Sequence, residues 1–203
     1  MSVNSIIFDL GGVILDLDVS ATVHALRKLS GISQEKAMEI FGSSPEFAFE
    51  KGTLHENEFR NFIRDAYHIN ATDQSIDDCW NAMLLGLPQK KVDLLKALKE
   101  RYKVFLLSNT NSIHLRHINE VIVRNLTGDV EIDVFFDRAY YSHKMGMRKP
   151  EREIFMQVMT ENQLQPSTTL FLDDNIENIE AANALGIKTV YVKSTDRIFD
   201  VFR

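Results

Sequence analysis

Four short apolar runs recur along the chain, and polar residues follow three of them closely. Ser5-Ile6-Ile7-Phe8 runs into Asp9, Lys103-Val104-Phe105-Leu106-Leu107 into Ser108-Asn109, and Thr168-Thr169-Leu170-Phe171-Leu172 into Asp173-Asp174-Asn175; Lys188-Thr189-Val190-Tyr191-Val192 completes the set. Apolar runs this short, bounded by turn-forming residues, predict strands buried on both faces. Ala139 to Ser142 predicts a weaker strand before Lys149. Between these runs apolar residues recur at helical spacing: Val92, Leu95 and Leu98 within Gln89 to Tyr102, and Ile154, Phe155, Val158 and Met159 within Glu151 to Asn162. Ile176 to Leu185 is a third such segment, stopped by Gly186. Strands alternating with helices predict an α/β fold with a doubly wound parallel sheet.

Residues 16–88 interrupt that alternation. Val19 to Ser30, Gln34 to Phe41, Glu56 to Tyr67 and Asp73 to Leu85 all carry helical periodicity, and Ser33 is placed to cap the second of them. The pattern predicts an inserted all-helical cap domain over residues 16–88, set into a core made of residues 1–15 and 89–203. Asn119 to Asp137 reads as a helix with an irregular exit.

Composition narrows the classes of function. At 203 residues, 44% of them hydrophobic, the chain can build one ordinary domain plus an insertion. A net charge of −6 argues against nucleic acid as the main partner, because phosphate backbones need a basic face. It leaves room for a small phosphorylated metabolite, whose charge a metal and one or two local cations can offset. The single cysteine, Cys79, excludes an internal disulfide and suits a reducing compartment; it is expected to be a small buried side chain. No basic stretch precedes an apolar one at the N-terminus, and no apolar run reaches the ~18 residues of a membrane span. A soluble cytoplasmic protein, with no membrane partner, is the expectation.

In an open parallel sheet, ligands bind beyond the carboxyl ends of the strands. Here those ends carry Asp9, Ser108-Asn109 and Asp173-Asp174. Each has an ordinary explanation alone, as a turn residue or a helix cap. Their order is what matters. An apolar strand ending in Asp9, another ending in Ser108, then Lys149 within Gly146-Met147-Arg148-Lys149-Pro150-Glu151, then Asp173-Asp174-Asn175 before a helix resembles the four motifs of the haloacid dehalogenase superfamily. The insertion falls where members with helical caps carry theirs, so the resemblance spans nearly the whole chain and implies a Rossmann-like core. Asp9-Leu10-Gly11 and Ser108-Asn109-Thr110-Asn111 are most similar to the small cytoplasmic sugar-phosphate phosphatases, glucose-1-phosphate phosphatases among them.

The resemblance implies a Mg²⁺-dependent phosphatase acting through an aspartyl phosphate on Asp9. Mg²⁺ would be held by Asp9, the Gly11 carbonyl and Asp174. Asp173 and Asn178 would stand behind these ligands, with Asp173 orienting Lys149. Ser108 and Asn109 would bind phosphate oxygens, and Lys149 would neutralise the nucleophile and the transferring group. Phe47 to Leu54 is similar to a cap loop that faces the site, which makes Glu50 and Lys51 substrate contacts and puts Phe47 and Phe49 in the cap core. Phosphoryl transfer asks for this set: an in-line nucleophile and cations around the phosphate oxygens.

One position departs from the family. Phosphatases of this kind usually carry a second Asp two residues beyond the nucleophile, to protonate the leaving oxygen; this chain has Gly11. Loss of such a group typically costs about 10²–10⁴ in rate. Three readings follow. Another side chain supplies the acid, with Asp16, Asp18, His24, Glu50 and His55 as candidates; water suffices for a good leaving group; or the site binds phosphate and turns over very slowly or not at all. A phosphomutase is a narrower alternative, and a dehalogenase leaves the Asp173-Asp174 pair without a purpose. The six histidines show no metal-ligand spacing, and only His114 is placed to line a pocket.

Overall fold

The computed structural model describes residues 2–128 and 131–202. Five parallel strands form its centre: β1 (Ser5–Phe8), β4 (Lys103–Ser108), β5 (Arg138–Tyr141), β6 (Thr169–Asp173) and β7 (Lys188–Tyr191), in the spatial order β5-β4-β1-β6-β7. β1 pairs with β4 from Ser5↔Lys103 to Phe8↔Leu106 and with β6 from Ser5↔Thr169 to Phe8↔Leu172. The order reverses at β1, so the clefts beside its carboxyl end are the switch point where such sheets take ligands.

Alternation within β1 explains why its whole run is apolar. Ile6 and Phe8 enter one layer with Val104, Leu106 and Leu172, under α6 (Gln89–Lys99) and its residues Val92, Leu95 and Leu98. Ile7 enters the opposite layer with Phe105, Leu107 and Phe171, under α10 (Arg152–Glu161) and α11 (Ile176–Ala184). Both faces are covered, as a parallel sheet requires.

Between β1 and β4 the chain leaves the sheet. Helices α1 (Val19–Ser30), α2 (Gln34–Ile40), α3 (Ser44–Glu50), α4 (Glu56–Tyr67) and α5 (Asp73–Asn81) enclose their own cluster, which includes Val23, Leu26, Phe49, Phe59, Ile63, Tyr67 and Trp80. Phe59 stacks on Phe49 at 4.2 Å and meets Trp80 edge-on at 4.8 Å. Ser33 caps α2 as its type suggests, accepting from the Lys36 N–H at 3.2 Å. Ile113, from α7 (Ser112–His117) of the core, belongs to the same cluster, so insertion and core share apolar packing.

The insertion differs from the all-helical expectation in two places. A short antiparallel hairpin, β2 (Asp16–Leu17) with β3 (Leu84–Gly86), closes its base; the helical pattern over Asp73 to Leu85 therefore ends at Asn81, because Leu84 pairs with Leu17. The segment expected as a loop from Phe47 to Leu54 is helix α3 followed by a turn. Gly52, at φ +69°, completes that turn, and a Cβ there would overlap the His143 carbonyl oxygen.

The stretch from Asn119 to Asp137 lies within a π-helical segment Ile118–Val123, α8 (Arg124–Thr127) and a 3-10 turn Ile132–Phe135; residues 129 and 130 lie outside the described residues. The remaining helices are α9 (Ser142–Met145) and α12 (Ile198–Val201). Cys79 is half-buried, not buried as expected. Among the described residues no helix is long and apolar enough to cross a membrane.

Candidate active site

The loop after β1 is held from both sides. Asp9 N–H donates to the Leu172 carbonyl at 2.8 Å, and the Gly12, Ile14 and Leu15 amides fold the chain back on itself at 2.7–2.9 Å. Gly12 sits at φ +69°, and a Cβ there would overlap the Asp174 carboxylate. The tight turn therefore lets the loop and the end of β6 approach each other.

At this point three strand ends converge. Lys149 Nζ donates to Asp9 Oδ1 and to Asp173 Oδ2, both at 2.6 Å, and its side chain is 1% exposed. Asp173 is buried outright: its Oδ1 also accepts from the Asn175 N–H at 2.8 Å and from Asn178 Nδ2 at 3.0 Å. The Asn178 Oδ1 is buried without a partner among the described residues. Asp174 is exposed. Carboxylate oxygens of Asp9, Asp173 and Asp174 lie within 4.8 Å of one another, a group able to hold a metal ion.

Electrostatics follow from this crowding. Burial pushes the Asp9 carboxyl above the ordinary range; Lys149 pulls it down, while Asp173 and Asp174 add to the rise. Burial also raises the Asp174 carboxyl, with Asp173 adding to it. Burial works against the Lys149 ammonium too, but Asp173 and Asp9 outweigh it and hold the group above an ordinary lysine. Three carboxylates and one ammonium carry a formal charge of −2 (−3 + 1), which suits a hard divalent cation with oxygen ligands.

The second strand end supplies the polar turn. Ser108, closing β4, is 2% exposed. The Asn109 side chain is committed to the backbone of Lys149, donating to its carbonyl at 2.9 Å and accepting from its N–H at 2.8 Å. It fixes the lysine, and the Thr110 N–H of the same turn donates to Ser142 Oγ at 2.9 Å. Asn111 caps α7 by accepting from the His114 N–H at 3.0 Å.

A cavity of about 200 Å³ opens beside this turn, lined on the core side by Leu10, Gly11, Ser108 and Asn109, and on the insertion side by Leu17, Glu46, Glu50 and Trp80. Trp80 stacks on His114 at 5.2 Å, and His114 Nε2 meets the Trp80 carbonyl at 3.1 Å. Burial lowers the His114 imidazole to about 4, against the pull of that carbonyl, so the ring is neutral at physiological pH.

Asp9, Ser108, Asn109, Lys149, Asp173, Asp174 and Asn178 thus lie in one region beyond the strand ends, with Gly11 in the adjoining cavity wall. The expected cap contacts fare differently. Glu50 lines the cavity, but its Oε2 accepts from Arg148 Nε at 2.8 Å. Lys51 lies outside the cavity lining and pairs with Glu151. Phe49 is buried as expected; Phe47 is exposed instead, with the Arg148 guanidinium 4.1 Å from its ring centroid.

Four of the five candidate replacements for the missing acid lie elsewhere. Asp16 accepts from the buried Lys91 at 2.8 Å, and Asp18 caps α1 from an exposed position. His24 and His55 are exposed and take no part in this cavity. Sequence reasoning missed Glu46, Leu17 and Trp80 altogether, since no local pattern marks them.

The family model of haloacid dehalogenase-like hydrolases matches residues 6–192. The chain is 29% identical over 189 residues to a D-ribitol-5-phosphate phosphatase of Bacteroides thetaiotaomicron, covering 92% of this chain and 90% of that protein. It is 26% identical over 195 residues to a sesquiterpene phosphatase of Aspergillus oryzae, covering 89% of this chain and 85% of that protein. A haloacid dehalogenase family enzyme of B. thetaiotaomicron, solved as the wild-type protein in complex with magnesium and inorganic phosphate, superimposes with a TM-score of 0.90 at 33% identity over the whole of both chains.

Proposed function

The chain belongs to the haloacid dehalogenase-like hydrolase family, and we propose that it is a Mg²⁺-dependent phosphatase that cleaves a small phosphomonoester through an aspartyl phosphate on Asp9. The observation that carries this reading is the buried Lys149 ammonium, 2.6 Å from both Asp9 and Asp173, with Asp174 adjoining. Such a site repels a phosphate until its excess negative charge is offset.

Asp9, the Gly11 carbonyl and Asp174 would hold the Mg²⁺. Asp173 suits a supporting role, because Lys149, Asn175 and Asn178 already occupy its oxygens. When bound, the cation offsets the carboxylate charge and draws electron density from a phosphate oxygen. Lys149 keeps the Asp9 carboxylate oriented for in-line attack and faces the transferring group. Ser108 Oγ and the Asn109 backbone N–H are donors for the other phosphate oxygens, while the Thr110 N–H is held by Ser142 Oγ at 2.9 Å. A carboxylate nucleophile divides the reaction in two: the alcohol leaves as the aspartyl phosphate forms, then water cleaves that intermediate.

Residues 16–88 act as the cap that selects the alcohol. A sugar or sugar-alcohol phosphate is the substrate class favoured by the ribitol-5-phosphate phosphatase relative and by the motif set. The test is phosphate release from p-nitrophenyl phosphate, ribitol 5-phosphate and glucose 1-phosphate, with and without Mg²⁺, in the wild type and in Asp9→Asn. Turnover that needs Mg²⁺ and vanishes in Asp9→Asn is expected; no turnover, or turnover indifferent to Asp9→Asn, sinks the reading. Gly11 favours one competing reading, a phosphate-binding protein without turnover. That protein would be stabilised by Mg²⁺ with inorganic phosphate yet release no phosphate from any ester.

A further inference from the structure

We propose that Glu46, on cap helix α3, is the acid and base of the reaction, giving its proton to the departing alcohol and later taking one from the attacking water. The proposal rests on the phosphatase reading above.

Position 11 carries no side chain that could take this role. An ideal Cβ on Gly11 would lie 2.5 Å from Leu17 Cδ1, so the hairpin side chain occupies the space a longer residue would need. The proton must come from elsewhere on the cavity wall. Among the described residues its titratable lining groups are Glu46, Glu50 and His114. His114 has both ring nitrogens engaged, Nδ1 with Asn111 at 3.2 Å and Nε2 with the Trp80 carbonyl at 3.1 Å. Glu50 is held by Arg148. Glu46 makes no ion pair among the described residues; its carboxylate accepts from the Gly42 N–H. Glu46 shares the wall of this cavity of about 200 Å³ with Gly11, Ser108 and Asn109, so an alcohol held in it has the Glu46 carboxyl as part of its lining.

The surroundings poise the group. Burial pushes the Glu46 carboxyl up to about 7; the Gly42 N–H opposes this, Glu50 on the same helix adds to it, and Arg148 from the core opposes it. Tyr67 on α4 also feels the Glu46 charge, and neutral His114 shares the cavity. A carboxyl half-protonated near neutrality can both donate and retrieve a proton.

The electrons balance. An Asp9 oxygen attacks phosphorus, the bond from phosphorus to the alcohol oxygen breaks with its electron pair on that oxygen, and the oxygen takes the Glu46 proton. Water then attacks the aspartyl phosphate and gives a proton to the Glu46 carboxylate. The bond between phosphorus and Asp9 breaks, which returns the Asp9 carboxylate, releases phosphate and leaves Glu46 protonated.

The test is the single-turnover rate of phenol release, with Mg²⁺, from a series of aryl phosphates running from p-nitrophenyl to unsubstituted phenyl. The help of an acid matters most for the poorer leaving group. The wild type is expected to slow above pH ~7, and Glu46→Gln to lose that fall, to slow the phenyl ester by about 10²–10⁴-fold and to leave the p-nitrophenyl ester within about tenfold. An equal loss across the series, no loss, or a retained alkaline fall overturns the assignment. Melting temperature and Mg²⁺-plus-phosphate stabilisation check that the variant is folded. If it is not, Glu46→Asp must show the same selective slowing of the phenyl ester, and its absence overturns the proposal. A wild type that cleaves none of these esters fails at an earlier point, because it removes the phosphatase reading itself.

Discussion

Replacing Lys149 by Met keeps nearly the length of the side chain and removes its charge, which isolates what the ammonium does. In the wild type it lies between Asp9 and Asp173 at 2.6 Å each, with side-chain exposures of 1% for the lysine and 0% for Asp173. Removing one partner of a buried ion pair typically costs about 3–5 kcal/mol, because the charge left behind is uncompensated. At about 1.4 kcal/mol per tenfold, that lowers the ratio of folded to unfolded protein by about 10²–10⁴. The sign with pH is fixed. The Lys149 ammonium is raised above an ordinary lysine, so its contribution is fully present at pH 8 and fades only as pH climbs through its folded value. Without it, the Asp9 carboxyl rises further. A carboxyl whose folded value exceeds its unfolded one carries no penalty below the unfolded value, near 3.9, and a growing penalty above it. The gap between wild type and variant should therefore be widest at pH 8 and should shrink towards pH 4.5. Urea unfolding in EDTA at the two pH values measures it. Adding Mg²⁺ at pH 8 should restore part of the lost stability, since a ligand of the folded state stabilises by mass action. A gap below about 1 kcal/mol at pH 8, or one of equal size at both pH values, would refute the account of Lys149 as the charge that holds the carboxylates together.

Gly12→Ala places a Cβ against the Asp174 carboxylate at a positive φ, so it should cost about 1–3 kcal/mol of stability and abolish the thermal stabilisation by Mg²⁺. A variant with the wild-type Mg²⁺ response would refute the close approach. Trp80, the single tryptophan, stacks on His114, and its fluorescence should titrate with that ring at about pH 4; a midpoint near 6.5 would place the ring in water. The same burial makes the unfolded chain take up the His114 proton first, so stability should fall by as much as about 3 kcal/mol as pH drops from 6.5 to 4. Glu46 acts in the opposite sense, since its raised carboxyl loses stability as pH rises from 4.5 towards 7, so Glu46→Gln should steepen the acid side of the urea profile. Arg60 Nε and Nη2 both reach Asp77 at 2.8 Å in the cap, so Arg60→Met should lower stability by about 3–5 kcal/mol, with Arg60→Lys recovering only part of it. Urea midpoints of the two variants decide, and a loss under about 1 kcal/mol for Arg60→Met refutes the buried pair.

What could be read from the residues depended on how local their cause was. β1, β4 and β6 announce themselves because a strand covered on both faces must be apolar throughout, and Ile6, Ile7 and Phe8 divide between two layers whatever surrounds them. The hairpin has no such signature. β2 is two residues long and β3 three, and each is a strand only because the other, 67 residues or more away, supplies its partners. Helix α3 is seven residues long and is fixed by Phe49 entering the cap cluster and by Gly52 against His143, contacts that periodicity does not record. Lys51 misled for a related reason: its place in the segment similar to a cap loop suggested the site, whereas its charge is drawn to Glu151.

The same division runs through the site. Asp9, Ser108 and Asp173 owe their placement to the ends of parallel strands and Lys149 to the turn before α10, so their spacing along the sequence carries the geometry. Glu46 owes its chemistry to the cap closing over it: Ser44-Pro45-Glu46-Phe47 is an ordinary helix entry until burial and Glu50 lift the carboxyl towards neutrality. Gly11 and Glu46 are then two sides of one arrangement. With no side chain at position 11, Leu17 can come down beside Leu10 and make that wall apolar, and an apolar wall is what keeps a carboxyl opposite it protonated. An acid grafted at position 11 would have to displace Leu17 and would bring a second carboxylate towards Asp9, where Asp173 and Asp174 already raise it. The acid on the cap avoids that crowding. It also ties proton transfer to the contacts between cap and core, Arg148 with Glu50 and Trp80 with His114.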